Sequence, residues 1–444
     1  MSNLLFFRLL SVLSICLALL LVGCGEDEDI DSVDTDDGGD VTTAEEPSGP
    51  NLLEGKITVD MTLKASREHI LRGAVFVENS ATLTIEPGTT IYGEGVSNGT
   101  LIIAQGSKIM AEGTQNAPIV FTSDAFEGSR GRGQWGGLII NGRAPSNQGV
   151  TFGEGDTGAF GGNNPADSSG VLKYVRVEFA GIEFSPDNEL NGIAFQGVGS
   201  GTVVDYVQVH LNQDDGIEMF GGTVNIKHAL VTGARDDSFD WTDGWTGKGQ
   251  FWIAQQRGDE ADNGFENDNS SKNNDATPRS APTIYNATLV GDPKGPTSDT
   301  GMLIREGAAG IYRNIIVHGF KNKAGLDIDN ASTIAQANSG GLVVQNTIFS
   351  NNQPSNFADP DEDFDEAAWA MDPAFNNLEA DAMLTNPFNL TDPDFRPQGG
   401  SPAVNGTVPV ASPPGDGFFE PVNFIGGMGP NDNWTAGWTT TAQN

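Results

Sequence analysis

Cysteine is almost missing from this chain of 444 residues, which holds only Cys16 and Cys24. Cys16 falls within an apolar run, Leu9 to Leu21, that follows a short segment with one cation, Arg8. Charge, apolar core and the small residue Gly23 mark residues 1–23 as a signal peptide. The run is too short to cross a bilayer as a helix. Maturation leaves Cys24 alone, so no intramolecular disulfide can form, and stability has to come from packing or from bound ions. Histidine is also scarce. The four, at 69, 210, 228 and 318, show no metal-ligand spacing, and His210 and His228 sit in strand patterns that read as structural.

Basic residues are few: 23 Lys and Arg face 60 Asp and Glu, a formal charge of −37. Glu26 to Glu46 alone holds eleven acidic residues and no basic one. Such a block cannot bury apolar surface, so residues 24–50 read as a disordered, self-repelling tether. Without leader and tether, 49 acidic side chains still face 22 basic ones. That balance excludes nucleic acid and anionic lipid headgroups as natural partners. It favours cations, basic partners or neutral glycans, or plain solubility in a salty medium. Helical periodicity is scarce too, and 58 glycines with 8% aromatic residues suit a turn-rich β protein.

What the chain has in abundance is repetition. Asp214-Asp215-Gly216-Ile217-Glu218, Asp236-Asp237-Ser238-Phe239-Asp240 and Asp262-Asn263-Gly264-Phe265-Glu266 recur at offsets of 22 and 26. Earlier, Leu83-Thr84-Ile85-Glu86-Pro87-Gly88-Thr89-Thr90-Ile91 returns at an offset of 18 as Leu101 to Ile109, with Gly88 and Gly106 in the same turn. A further family of strands, among them Lys173 to Val177, Asp205 to Val209, Lys227 to Val231, Tyr285 to Leu289, Arg313 to Val317 and Gln345 to Phe349, recurs mostly at 22 to 32. Several short strands per repeat of this length describe an all-β, right-handed parallel β-helix over residues 51–350. A propeller would repeat at about 40 to 45 residues, and a sandwich would show no constant spacing. About twelve coils at ~4.8 Å make a monomeric rod on the order of 60 Å long.

Two stretches break the rhythm. Gln255 to Pro282 reads as one functional loop, and it contains the adhesion-like tripeptide Arg257-Gly258-Asp259, of a length that arises by chance. Residues 351–444 lose the strand pattern, with Asp359-Pro360, Asp372-Pro373 and Asp392-Pro393 as punctuation and a short helix expected at Glu366 to Met371. That region reads as an irregular C-terminal cap over the last open coil.

Leu21-Val22-Gly23-Cys24 resembles the lipobox of bacterial lipoproteins, in which the cysteine, here Cys24, is lipidated and anchors the chain to a membrane. Gly25 after it resembles the outer-membrane sorting pattern. The run Leu83 to Ile91, the segment Pro118 to Ser123, the motif Trp135-Gly136-Gly137-Leu138-Ile139-Ile140-Asn141-Gly142, the stretch Asp214 to Trp245 and the closing Asn433-Trp434-Thr435-Ala436-Gly437-Trp438 together resemble bacterial secreted or lipoprotein right-handed β-helix proteins. The resemblance implies a fold and export to the cell envelope, and it implies no activity.

In coil register Ile217, Phe239 and Phe265 point inward and Glu218, Asp240 and Glu266 form one outward column. Stacked carboxylates repel unless a cation sits among them. Asp215, Glu218, Asp237, Asp240, Asp262 and Glu266 are therefore candidate ligands for Ca²⁺, which takes six to eight oxygens. The alternative is a solvated acidic ladder spread by twist and screened by salt. Gln213-Asp214-Asp215-Gly216 is similar to the Asp-Asp motif of polygalacturonases, yet the Gly-His-Gly and Arg-x-Lys segments of that family are missing. A lyase would use Arg235 as base with Ca²⁺ held by the neighbouring acids, as in β-helix pectate lyases. The catalytic candidates are Arg235, Asp214, Asp215 and Asp237. Trp241 reads as core, and Trp245, in a Gly-rich loop, as an exposed ring that could stack on a sugar. The expected function is binding of an extracellular polysaccharide or surface partner, with a polysaccharide lyase or hydrolase, or a purely structural surface protein, as alternatives.

Overall fold

The computed structural model describes residues 49–185, 188–358 and 364–444. The signal peptide, Cys24, the acidic tether as far as residue 48 and Asp359-Pro360 lie outside the described residues. Over 49–444, 25 strands join in one parallel sheet that winds around an axis. The chain is a parallel β-helix, and the repeats read from sequence are its coils.

The long strands Gly170–Glu178, Val203–His210, Asn225–Thr232, Lys248–Gln255, Thr283–Val290 and Gly310–His318 stack coil on coil. Each bends in the middle, so its two halves belong to two sheets. A third sheet stacks Gly137–Asn141, Ile193–Gln196, Ile217–Phe220, Phe239–Thr242, Phe265–Asn267, Thr300–Ile304 and Ala324–Ile328. Strand alternation sends every second residue inward. The third sheet contributes Leu138, Ile193, Ile217, Phe239, Phe265, Met302 and Leu326 to the buried core.

The bend has a local cause that the strand pattern conceals. Tyr174, Tyr206, His228, Phe251, Asn286, Asn314 and Asn346 all lie in the left-handed region, with φ between 47° and 60°. For bulky residues that conformation costs about 1–3 kcal/mol each. Stacking offsets it in the first four coils. Tyr174 lies 4.4 Å from Tyr206, Tyr206 4.1 Å from His228 and His228 4.9 Å from Phe251, all close to parallel. In the later coils the residue is Asn, which tolerates this region.

The C-terminal region is only partly the cap that the sequence suggested. Phe364, Trp369, Ala370 and Met371 pack on the core at the last coils, with the short helix at Glu366–Ala370. From Leu378 onward the chain runs back along the outside of the second sheet. There it covers Leu230, Ile253, Ile316 and Ile348 with Leu384, Phe395, Ile425, Trp434 and Trp438. The asparagine corner holds this strap. Asn346, Asn314 and Asn286 donate to the carbonyls of Pro409, Ala411 and Phe424, each at 2.9 Å. Farther on, Gln208 donates to Thr440 O and Arg176 to Trp438 O. A strap wins over an end cap because that outer face is apolar and would otherwise face water. Gln255 to Pro282 is likewise no single loop, since Phe265–Asn267 is a third-sheet strand within it.

Asn314 both donates to Ala411 O and accepts from Ala411 N at 2.8 Å. Replacing it with Ala removes both bonds and the residue's tolerance of positive φ, an expected loss of about 2 kcal/mol. Asn314→Gly should lose less, since it keeps the backbone conformation. Urea unfolding reads both; equal stability of Asn314→Ala and wild type would show that the corner does not hold the strap.

Candidate functional site

Each coil enters the third sheet through one five-residue turn and strand, so equivalent positions stack. The register pairs Glu218 with Asp240 and Asp240 with Glu266. Above and below, the same column holds Ala194 and Leu303. Three carboxylates thus form a ladder bounded by apolar residues.

Beside it runs a second column. Asp215 accepts the backbone N–H of Asp237 at 3.0 Å, and Asp237 accepts that of Asn263 at 2.6 Å. These carboxylates join one coil to the next. Both columns are tucked under their surroundings: Asp215 and Glu218 are each 7% exposed and Asp237 4%. A solvated, salt-screened ladder does not describe this face.

The first residues of the copies, Asp214, Asp236 and Asp262, line an open cleft of about 480 Å³ together with Gln213, Arg235 and Asp299. Carboxylate oxygens fall within 4.8 Å of one another in four interlocking groups. Two lie at the cleft, Asp214–Asp215–Asp236 and Asp236–Asp237–Asp262, and two lie on the ladder, Asp215–Glu218–Asp240 and Asp237–Asp240–Glu266. The second member of each pair is the first moved by one coil.

Two like charges at that distance repel by about 3 kcal/mol at an effective dielectric near 20. Burial first, then this mutual repulsion, drives the carboxyls toward the protonated form. Asp214 is pushed up to about 8 and Asp262 to about 7. Asp215, Glu218, Asp237 and Asp240 are held well above the ordinary carboxylate range. At neutral pH the site has to carry protons or bind something cationic.

One end carries its own cation. Arg305 pairs with Glu266 and, through Nε at 2.9 Å, with Asp268. No guanidinium or ammonium reaches Glu218 or Asp240 in an ion pair among the described residues. Several buried oxygens there lack a donor. Asp240 Oδ1, Asp262 Oδ1 and Asn263 Oδ1 have no hydrogen-bond partner among the described residues, although Asn263 is only 1% exposed. Asn263 Nδ2 donates to Glu266, which places that amide within the ladder. An all-oxygen set of this kind fits a hard cation such as Ca²⁺.

The structure gathers the sequence candidates unevenly. Arg235 and Asp214 meet at the cleft, where Arg235 Nε lies 3.1 Å from Glu260. Asp215 and Asp237 sit behind them, engaged with backbone. The six metal-ligand candidates all belong to the interlocking groups. Trp245 is corrected: it is fully buried, 5.3 Å from Trp241 and 6.1 Å from Trp252, with Nε1 donating to Val224 O. The third sheet's wide coils need large rings to fill them, and the Gly-rich loop turns the indole inward. Arg257-Gly258-Asp259 is tied up internally, Arg257 Nε pairing with Asp259 at 3.0 Å.

Asp236, Arg305 and Asn191 were missed. Asn191 donates to Glu218 from the coil before, and Asn191-Gly192-Ile193 is a fourth copy of the repeat with its acids replaced. Aligning on the glycine rather than the acids exposes it, and Thr300-Gly301 as a fifth.

These features define a class: a parallel β-helix with interlocked carboxylates on the outer side of one sheet. The chain belongs to the pectate-lyase-like β-helix domain family, whose model matches residues 55–386, about three quarters of its length. No curated protein and no solved structure matches it.

Carboxyls whose folded pKa is raised impose no penalty below the unfolded value near 4 and their full penalty above the folded values of about 7 to 8. With chelator present, the melting midpoint should therefore fall as pH rises from 5 to 8. A flat or rising midpoint over that window would contradict the buried, unneutralised ladder.

Proposed function

We propose that this protein binds an acidic extracellular polysaccharide through divalent cations, Ca²⁺ foremost, held on the third sheet. The observation that carries the reading is the set of four carboxylate groups opening onto one cleft. Glu218, Asp240 and Asp215 would hold a cation on the ladder, and Asp214, Asp236 and Asp262 would face a ligand. When bound, the ion supplies the positive charge that bridges protein carboxylates to uronate carboxylates. Arg235, on the rim, has N–H donors beyond the one paired with Glu260 to offer the same anionic groups. The family's pectate-lyase likeness supports a polysaccharide as the ligand class.

A second reading, a polysaccharide lyase, is favoured by Arg235 standing beside Asp214 and Asp236 in the cleft. A uronate bound there would have its acidic C–H near a basic side chain and a cation. Inverting hydrolysis fits less well. It needs carboxyls about 6.5–9.5 Å apart to seat water, and here their oxygens approach within 4.8 Å.

Adding Ca²⁺ to chelated protein at pH 8 should raise the melting midpoint by several degrees, and Asp240→Asn should blunt the rise. Incubation with acidic and neutral polysaccharides, followed at 235 nm and by reducing ends, separates the readings. Binding without turnover is expected, and turnover abolished by Arg235→Ala would replace binding with lysis. A midpoint indifferent to Ca²⁺ would remove the ion from the account.

In the same reading the chain is a lipoprotein, anchored through Cys24 to the outer membrane, with the acidic segment after it as tether. Cys24→Ser should move it from the membrane fraction to the soluble fraction of the cell envelope. Continued sedimentation with membranes would overturn lipidation.

A further inference from the structure

The carboxylate ladder has a second flank. Glu218 and Phe220 lie two residues apart on Ile217–Phe220, so both side chains project from the outer side of the third sheet. Phe220 and Thr242 border a recess of about 250 Å³ on the side away from the Asp214 cleft. Phe160 packs on Phe220, with centroids 6.2 Å apart and planes at 54°. It comes from a two-stranded hairpin in which it pairs with Thr151, next to Phe152. Phe152 is 77% exposed and lines the same recess. A solvent-facing phenyl beside a half-buried one is unusual for a surface otherwise crowded with charge.

The opposite wall is polar. Gln148 Nε2 donates to Asp243 Oδ1 at 3.1 Å, and Lys272 lies close enough to act on the charge of Asp243. An apolar ligand would leave Asp243 and Gln148 without new partners and pay their desolvation. An anion as compact as phosphate would meet Asp243 directly. A pyranose ring satisfies both walls, because it has an apolar C–H face and a rim of hydroxyls that donate and accept. The volume, below the range of drug-sized pockets at roughly 300–1,000 Å³, suits one ring.

We propose that this recess is a sugar subsite that takes one pyranose residue of a glycan, its C–H face on Phe152 and Phe220 and its hydroxyls on Asp243 and Gln148. The proposal rests on the polysaccharide reading above and adds the direction of the chain. Phe220 follows Asp214 of the cleft by six positions, at most ~22 Å of backbone, with Glu218 between them. A glycan reaching both crosses the sheet along its strands, perpendicular to the rod, and passes over the cation ladder.

Affinity electrophoresis of the full chain in gels containing polygalacturonate, alginate or a neutral glucan, with Ca²⁺ present, tests it. Phe152→Ala should weaken retention by the best of these about 5-fold. Melting temperature and Ca²⁺ affinity by calorimetry should stay unchanged, since Phe152 is exposed and ligates nothing. Wild-type retention with Phe152→Ala retained equally would overturn the subsite and leave the polysaccharide reading standing. Absence of retention on all three gels would overturn both. A drop in Ca²⁺ affinity in Phe152→Ala would also overturn it, by showing that the ring acts on the ladder and not on sugar.

Discussion

Parallel coil-on-coil register is the constraint on which everything else in this molecule depends. It places each residue against its counterpart one coil away, so a choice made at one position is multiplied along the rod. Where the repeated residue is apolar, as at Ile217, Phe239 and Phe265, repetition builds the core. Where it is a flat ring at a strained corner, as at Tyr174, Tyr206 and His228, repetition supplies stacking that offsets the strain. Where it is Asn, the column becomes a row of donors that holds the strap. The same geometry turns hostile when the repeated residue is a carboxylate.

That hostility is why the acidic face reads as a site and not as decoration. Asp215 and Asp237 each return a bond to a backbone N–H of the next coil, but crowding Glu218 and Asp240 beside them adds a repulsion that those bonds do not require. Neutral residues occupy equivalent positions in adjacent coils, Asn191 and Ala194 on one side and Thr300 and Leu303 on the other. The unbroken run of three acids lies in the coils that line the Asp214 cleft and Phe220 recess, and beyond Leu303 the column returns to an acid at Asp327. Buried like charges persist when something else stabilises them, whether a proton, Arg305 or an exogenous cation.

Much of this was legible in the sequence, because a solenoid writes its geometry as spacing. Offsets of 22 and 26 gave the coils, and apolar-acidic alternation gave the inward and outward columns, which the register reproduces. What stayed hidden depends on contacts far apart in the chain. Trp245 lies in a sequence that looks like a surface loop, and only the width of the coil explains why its indole turns inward. The strap from Leu378 reaches residues as far as 321 positions away, as Gln115 with Ala436, and others such as Arg176 with Trp438 at 262. No local pattern encodes such pairs. The corner at Tyr206 and His228 was disguised because aromatic residues also favour strands.

Arg305 shows how the chain itself treats the problem. It sits at the ladder's last rung, where Glu266 meets Asp268, and supplies a covalent cation there. Had uniform neutralisation been the purpose, a basic residue in each coil would have served, and the repeat offers the positions for it. Instead Asp240, on the middle rung, keeps an oxygen without a partner among the described residues, next to an open cleft. A fixed cation closes one end while the middle stays dependent on what the solvent provides. On the proposed reading, a cation that binds the folded central coils and not the unfolded chain would stabilise them, and a ligand bearing or sharing cations would hold the rod most strongly there.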